Sequence, residues 1–244
     1  MYQAFVTAFR TLTIIPIPGK DTDNYASSLA YFPLTGAFLA GILIAAHYLL
    51  RWIFAEIHSG TEAFALVTLY TLLTGAMHLD GLADVADATG CRGDIEKKLQ
   101  VMKDPRIGAF GAIALIFALL GQWIAVTRLI ESNLIINLIA AFCLSRLVIV
   151  DLAVSNPYAR KSGGTGQPFV ENATRTHFFY SLILCAFVLI VSNGVPLLIF
   201  IPVAWVMSKM LGWIYRKNFG GVTGDILGAS LVIVELLFIF LNFL

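Results

Sequence analysis

Asp80, Asp84 and Asp87 fall within His78-Leu79-Asp80-Gly81-Leu82-Ala83-Asp84-Val85-Ala86-Asp87, where a long apolar segment meets a basic one. On a helix turning about 100° per residue, Asp84 lies about 40° to one side of Asp80 and Asp87 about 20° to the other. The three carboxylates therefore share one narrow face, with neighbouring Cβ atoms roughly 5–6 Å apart. Two unit charges at that spacing repel by roughly 3 kcal/mol at an effective dielectric of about 20. Such a cluster calls for a bound cation, a shared proton or wide solvation. Carboxylate oxygens suit Mg²⁺, which takes one or two of them together with water and substrate phosphate. The plainer reading is a set of solvated acids at a helix end, where Asp is favoured by capping and the dipole.

Two further segments carry chemistry. In Met102-Lys103-Asp104-Pro105-Arg106-Ile107-Gly108-Ala109-Phe110-Gly111, an acid stands between two cations. Lys103 and Arg106 can hold phosphate, and Asp104 can extend a metal shell. In Gly220-Gly221-Val222-Thr223-Gly224-Asp225, preceded by Arg216 and Lys217, glycines let backbone N–H groups approach an anion, and Asp225 falls where a helix begins. Ser162-Gly163-Gly164-Thr165-Gly166 is a shorter echo after Arg160 and Lys161. Neither glycine segment ends as a Walker A loop does, so neither is a nucleotide motif alone. His78, two residues before Asp80, points to another side of a helix.

The elements that must position these groups are membrane helices. Hydrophobic residues make up 59% of the 244-residue chain and charged ones 13%, and mean hydropathy is +0.84. Net charge is +1, and no basic–aromatic pattern points to nucleic acid. Cys91, Cys143 and Cys185 are scattered, which suggests neither a disulfide framework nor a zinc site. An all-α polytopic membrane protein is expected, with seven spans at 28–50, 62–78, 110–130, 134–154, 178–191, 195–214 and 226–244, six being the alternative. Residues 2–15 read as a short interfacial helix stopped by Pro16 and Pro18, with no removable signal peptide. With the N-terminus inside, twelve of the 16 Lys and Arg residues fall on the cytoplasmic side, which sets the expected orientation. The chain then reads as one helical domain, 1–244, with its active site on the cytoplasmic face in loops 79–109, 156–177 and 215–225. Arg146 and Asp151 in the fourth span and Glu235 in the last are ionisable groups inside the apolar layer. Small residues Gly36, Ala37, Ala40 and Gly41 could pack a homodimer or pack within one chain.

The segments at 78–87, 102–111 and 220–229 together resemble the cobalamin synthase family, the adenosylcobinamide-GDP ribazoletransferases of bacterial membranes. Phe9-Arg10-Thr11-Leu12-Thr13-Ile14-Ile15-Pro16-Ile17-Pro18 and Pro33 with Gly36 fit the same pattern, and the likeness covers nearly the whole chain. Ala88 replaces a Gly common after the third Asp, and Pro105 a small polar residue. The resemblance implies a Mg²⁺-dependent step in the bacterial inner membrane. Adenosylcobinamide-GDP and α-ribazole, or its 5′-phosphate, would give adenosylcobalamin, or its 5′-phosphate, and GMP. On that implication Asp80, Asp84 and Asp87 hold Mg²⁺, one serving as base, with Asp104 and Asp225 as further ligands or base. Lys103 and Arg106 would clamp phosphate, and His78, Gly220, Gly221 and Thr223 would contact substrate. The chemistry is similar to that of CDP-alcohol phosphotransferases, whose Asp-Gly-x2-Ala-Arg pattern is absent here. A cation or metabolite transporter is the competing expectation, with acids lining a path at mid-depth.

Overall fold

The computed structural model describes residues 1–161 and 163–241, so Ser162 of the glycine-rich echo and positions 242–244 of the expected last span lie outside the described residues. In chain order the helices are α1 (Tyr2–Leu12), α2 (Phe32–Ile53), α3 (Ser59–Leu73), α4 (Met77–Gly90), α5 (Ile95–Val101) and α6 (Ala109–Glu131). They continue as α7 (Leu138–Ser155), α8 (Gln167–Glu171), α9 (Arg175–Asn193), α10 (Phe200–Phe219) and α11 (Gly224–Leu241). Short 3-10 turns lead into α2, α7 and α10. Among the described residues the only extended pairing is an isolated parallel bridge between Tyr158 and Val222.

Six segments are long and apolar enough to cross a membrane: α2 with its 3-10 entry, α6, α7, α9, α10 and α11. A seventh exists if α3 and α4 are taken together, but they meet at 87°. The expected second span, 62–78, thus breaks at Thr74-Gly75-Ala76. Gly75 and Ala76 both adopt left-handed backbone, φ +59° and +56°. Glycine accepts this freely, whereas alanine gives up about 1 kcal/mol or more, so the bend is built in. The Ile14 N–H donates to the Leu73 carbonyl at 2.9 Å, and a Cβ on Gly75 would lie 2.6 Å from the Ile14 side chain. The segment after α1 therefore pins the elbow. Beyond it, α4 departs from the direction of α3 and lies outside the six spans.

α7 is the hub, buried almost throughout and packed against α2, α9, α10 and α11. Gly36 of α2 lies on the α7 backbone, where a Cβ would meet the Phe142 carbonyl oxygen at 2.6 Å, and Ala40 is fully buried. Two of the small residues of α2 are thus used within the chain. The intramembrane charges match one another. Arg146 Nη1 pairs with Glu235, its Nη2 donates to the Tyr70 hydroxyl at 3.0 Å, and that hydroxyl donates to Glu235 at 2.6 Å. This triad ties α3, α7 and α11 together. Near the end away from α4, buried Glu62 pairs with His47 and with Arg51 Nε, the latter at 3.0 Å. α1 is amphipathic as expected, but it ends at Leu12 and packs its apolar face on the entry to α2.

Candidate active site

The acids at 80, 84 and 87 lie on α4 itself, so the first part of the expected 79–109 loop is helix. What brings them to other groups is the crossing of α4 over α11. Gly81 sits on the first turn of α11, where a Cβ would lie 2.7 Å from the Asp225 carbonyl oxygen. Only a bare backbone allows that approach, and it brings Asp84 near Asp225. The motifs at 78–87 and 220–229 thus form one place in the fold.

Asp225 is held by a residue that the motif reading passed over. Arg160 Nη2 donates to Asp225 Oδ2 at 2.6 Å, and its Nε is buried without a hydrogen-bond partner among the described residues. The 156–160 segment is fixed by backbone pairing. The Val222 N–H donates to the Pro157 carbonyl and the Ala159 N–H to the Val222 carbonyl, both at 2.9 Å. Gly221 packs on the Pro157 carbonyl with no room for a Cβ. Here the structure departs from the expected role of this loop. The Val222 N–H and the Gly220 N–H, which donates to Arg216 at 3.1 Å, are already used within the chain. Thr223 is fully buried, and its Oγ1 accepts from the Ile226 N–H at 3.2 Å, capping α11. The glycines therefore build the platform under Arg160 and Asp225. The one sequence sign of Arg160 was its place just ahead of the glycine-rich echo.

The three acids of α4 stand in different surroundings. Asp87 accepts from the Gly108 N–H through Oδ2 at 2.7 Å and from the Gly111 N–H through Oδ1 at 2.8 Å. It caps the start of α6 from a neighbouring helix, supplying acceptors to N–H groups that have none inside that helix. Asp80 is exposed and Asp84 half-buried, and neither accepts a hydrogen bond among the described residues. Burial pushes the Asp84 carboxyl up to about 6, with Asp80 and then Asp225 adding to the rise and Arg160 opposing it.

Asp104 accepts from Arg106 Nη2 at 2.6 Å and Nε at 2.9 Å, which holds its carboxyl down to about 2. This fork faces an open cavity of about 610 Å³ that Asp87 and Gly108 also line. Lys103 is exposed. His78 is separated from the acids: it is buried on α11, its Cα 3.4 Å from where a Cβ on Gly228 would sit. The Tyr158 hydroxyl is buried without a hydrogen-bond partner among the described residues, and burial raises its pKa.

No three His, Cys, Asp or Glu side chains converge at metal-binding distance among the described residues. Carboxylates are the donor type that a hard cation takes, and Asp84 stands near enough to both Asp80 and Asp225 for each to raise its carboxyl. The arrangement can thus hold a cation, bind phosphate beside it through Arg106 and Arg160, and accept a proton near neutral pH.

Comparison with known proteins gives the same direction. A protein of Chlorobium phaeovibrioides named adenosylcobinamide-GDP ribazoletransferase is 40% identical over 240 residues, 97% of this chain and 95% of that protein. Proteins of the same name from Chlorobium chlorochromatii and Syntrophobacter fumaroxidans are 40% and 36% identical, over 96% and 97% of this chain and 93% and 96% of theirs. No solved structure matches. The profile of cobalamin-5-phosphate synthase matches residues 4–243, and with it the chain belongs to that family.

Proposed function

We propose that this protein is an adenosylcobinamide-GDP ribazoletransferase completing the nucleotide loop of cobalamin. A hydroxyl of the ribose of α-ribazole, or of its 5′-phosphate, attacks the phosphorus linked to cobinamide. The new P–O bond forms as the diphosphate bridge breaks, GMP leaves, and the hydroxyl proton passes to a carboxylate. Such a displacement needs in-line positioning and charge neutralisation rather than a covalent intermediate. The observation that carries this reading is the α4–α11 crossing at Gly81, which joins two of the family-like motifs into one acidic site beside Arg160.

The roles divide by surroundings. Asp80, Asp84 and Asp225 are the groups that would hold Mg²⁺, which supplies neutralisation of the diphosphate oxygens. Asp84, half-buried and without an ion-pair partner among the described residues, is the carboxylate we assign to take the hydroxyl proton. Arg160 orients Asp225 and offers its free guanidinium edge to phosphate. Arg106 borders the cavity over Asp87, Lys103 is exposed three residues before it, and the two would hold substrate phosphate. Asp87 keeps the α6 end in place. The proposed setting is a bacterial inner membrane with this site on the cytoplasmic side. The transport reading loses its main support, because the charges of the Tyr70–Arg146–Glu235 triad at depth are spent on one another.

The test is purified protein in lipid, supplied with adenosylcobinamide-GDP, α-ribazole and Mg²⁺. Cobalamin and GMP should appear in equal amounts. Folded protein that makes neither, with α-ribazole or its 5′-phosphate and across divalent metals, sinks the proposal.

A further inference from the structure

A second feature lies on the outer side of the bundle. α10 carries Trp205, Lys209, Trp213 and Lys217 at four-residue intervals, which places successive members on one slowly turning stripe. Both tryptophans are more than half exposed, at 53% and 59%. Lys209 Nζ lies 5.7 Å from the Trp205 ring centre and Lys217 Nζ 5.3 Å from that of Trp213, within cation–π range. Arg216 adds a third cation, and its Nη1 donates to the neutral Asn156 Oδ1 at 2.5 Å.

Below this ladder a cleft of about 230 Å³ opens between α7, α9 and α10. Its walls include Phe178, Leu182, Ile201 and Trp205, and Asp151 is the one charged residue in its lining. Lys209 closes the upper edge. It binds both Asp151 oxygens, at 2.9 and 2.6 Å, and Ser155 Oγ at 2.9 Å, one turn from the end of α7. That pairing spends the Lys209 charge within the chain. Arg216 and Lys217 stand about 10–12 Å further along α10, on the side of the candidate active site, and neither meets a carboxylate among the described residues. From cleft to cations the order is apolar slot, aromatic and half-exposed ion pair, then positive charge that no carboxylate meets among the described residues. An acyl chain, a glycerol region and a phosphate follow the same order.

We propose that this face binds one anionic phospholipid, an acyl chain in the α7–α9–α10 cleft and its phosphate on Arg216 and Lys217. Charge separates this occupant from a second copy of the chain. A two-fold interface through α10 would set the same cations against each other, an arrangement that only bound anions could relieve. The site is independent of the acidic cluster, so its failure leaves the proposed reaction untouched.

Native mass spectrometry of protein equilibrated with phosphatidylglycerol or phosphatidylcholine reads this directly. At about fivefold per cation, two cations give a roughly thirtyfold preference for phosphatidylglycerol. Arg216→Gln with Lys217→Gln should erase that preference while leaving some retention of either lipid. Leu182→Trp, filling the cleft, should lower retention of both. Arg128→Gln, at the far end of α6, should change neither. Equal retention of the two lipids by the unaltered protein overturns the proposal. So does a preference that survives the double substitution, or a lipid-free dimer that buries Trp205.

Discussion

Asp87 and Asp84 occupy the same face of the same helix, three residues apart, yet substitution should affect them in opposite ways. Asp87 gives one oxygen each to the Gly108 and Gly111 N–H groups. A hydrogen bond to a charged group contributes about 1.5–3 kcal/mol, and a carboxylate at a helix start adds about 0.3–1 kcal/mol. Gly108 is half-exposed, so water can replace its partner; Gly111 is buried and its N–H would stay unpaired. Asp87→Ala should therefore cost about 3 kcal/mol, or about 6–12 °C in Tm for a chain of this size. Asp87→Asn should fall between, because one amide oxygen remains while the NH₂ group opposes the second donor. Gly111→Ala should act like Asp87→Ala, since a Cβ there would run into the carboxylate.

Asp84 has no hydrogen bond to lose. Asp84→Asn removes a charge that its surroundings disfavour, so Tm at neutral pH should hold or rise while turnover drops by about 10²–10⁴. Thermal unfolding followed by tryptophan fluorescence in lipid nanodiscs, alongside GMP release, separates the two residues. An Asp87→Asn protein with unchanged Tm and turnover as low as that of Asp84→Asn would refute the capping argument.

Three further outcomes follow from the same geometry. Because the folded protein raises Asp84 from 3.8 to about 6, it binds the extra proton between those values. The stability this contributes in metal-free protein is present below pH 3.8 and lost as pH rises through about 6, and an Asp84→Asn protein should lack that slope in unfolding measured across the window. Chelation should abolish GMP release and Mg²⁺ restore it, with Asp80→Asn raising the Mg²⁺ concentration needed by about tenfold or more; full turnover in excess chelator would dismiss the metal. Glu235→Ala should destabilise the bundle by about 3–5 kcal/mol by stranding buried Arg146, and adding Arg146→Met should recover most of the loss in denaturant unfolding.

The spans were readable because each is a run of apolar residues, and their observed limits differ from the expected ones by a few residues. The exception is instructive. The second span runs on in hydropathy through Gly75 and Ala76, and nothing in composition marks two consecutive left-handed residues. The break depends on Ile14 bonding to Leu73, a contact between distant parts of the chain. The acid face of α4 was equally readable, since helical spacing alone sets it. Which acid does what was not. Asp87 differs from Asp84 only through the N–H groups of a helix that begins about twenty residues later. Arg160 has no motif of its own, and its role comes from a two-residue bridge to Val222. Likewise the 220–224 glycines look like an anion-binding loop in sequence, while in the fold Gly221 makes room for the Pro157 carbonyl.

Pairing at this end of the molecule narrows where the chemistry must run. Five acids gather here, and three are answered within the chain: Asp87 by two backbone N–H groups, Asp104 by Arg106 and Asp225 by Arg160. Asp80 and Asp84 are left to each other, and the raised Asp84 carboxyl records that imbalance. In the apolar layer Arg146 and Glu235 cancel, with Tyr70 between them. A fold that matches its charges at depth and leaves two acids open at the end of the bundle is set to attract positive charge there. A diphosphate carries the opposite sign and would be repelled by those acids alone. On the proposed reaction it would approach with Mg²⁺ between, near the guanidinium groups of Arg106 and Arg160. On the proposed reaction, that places the bond to be broken over Asp80 and Asp84, with Asp87 holding the floor beneath them.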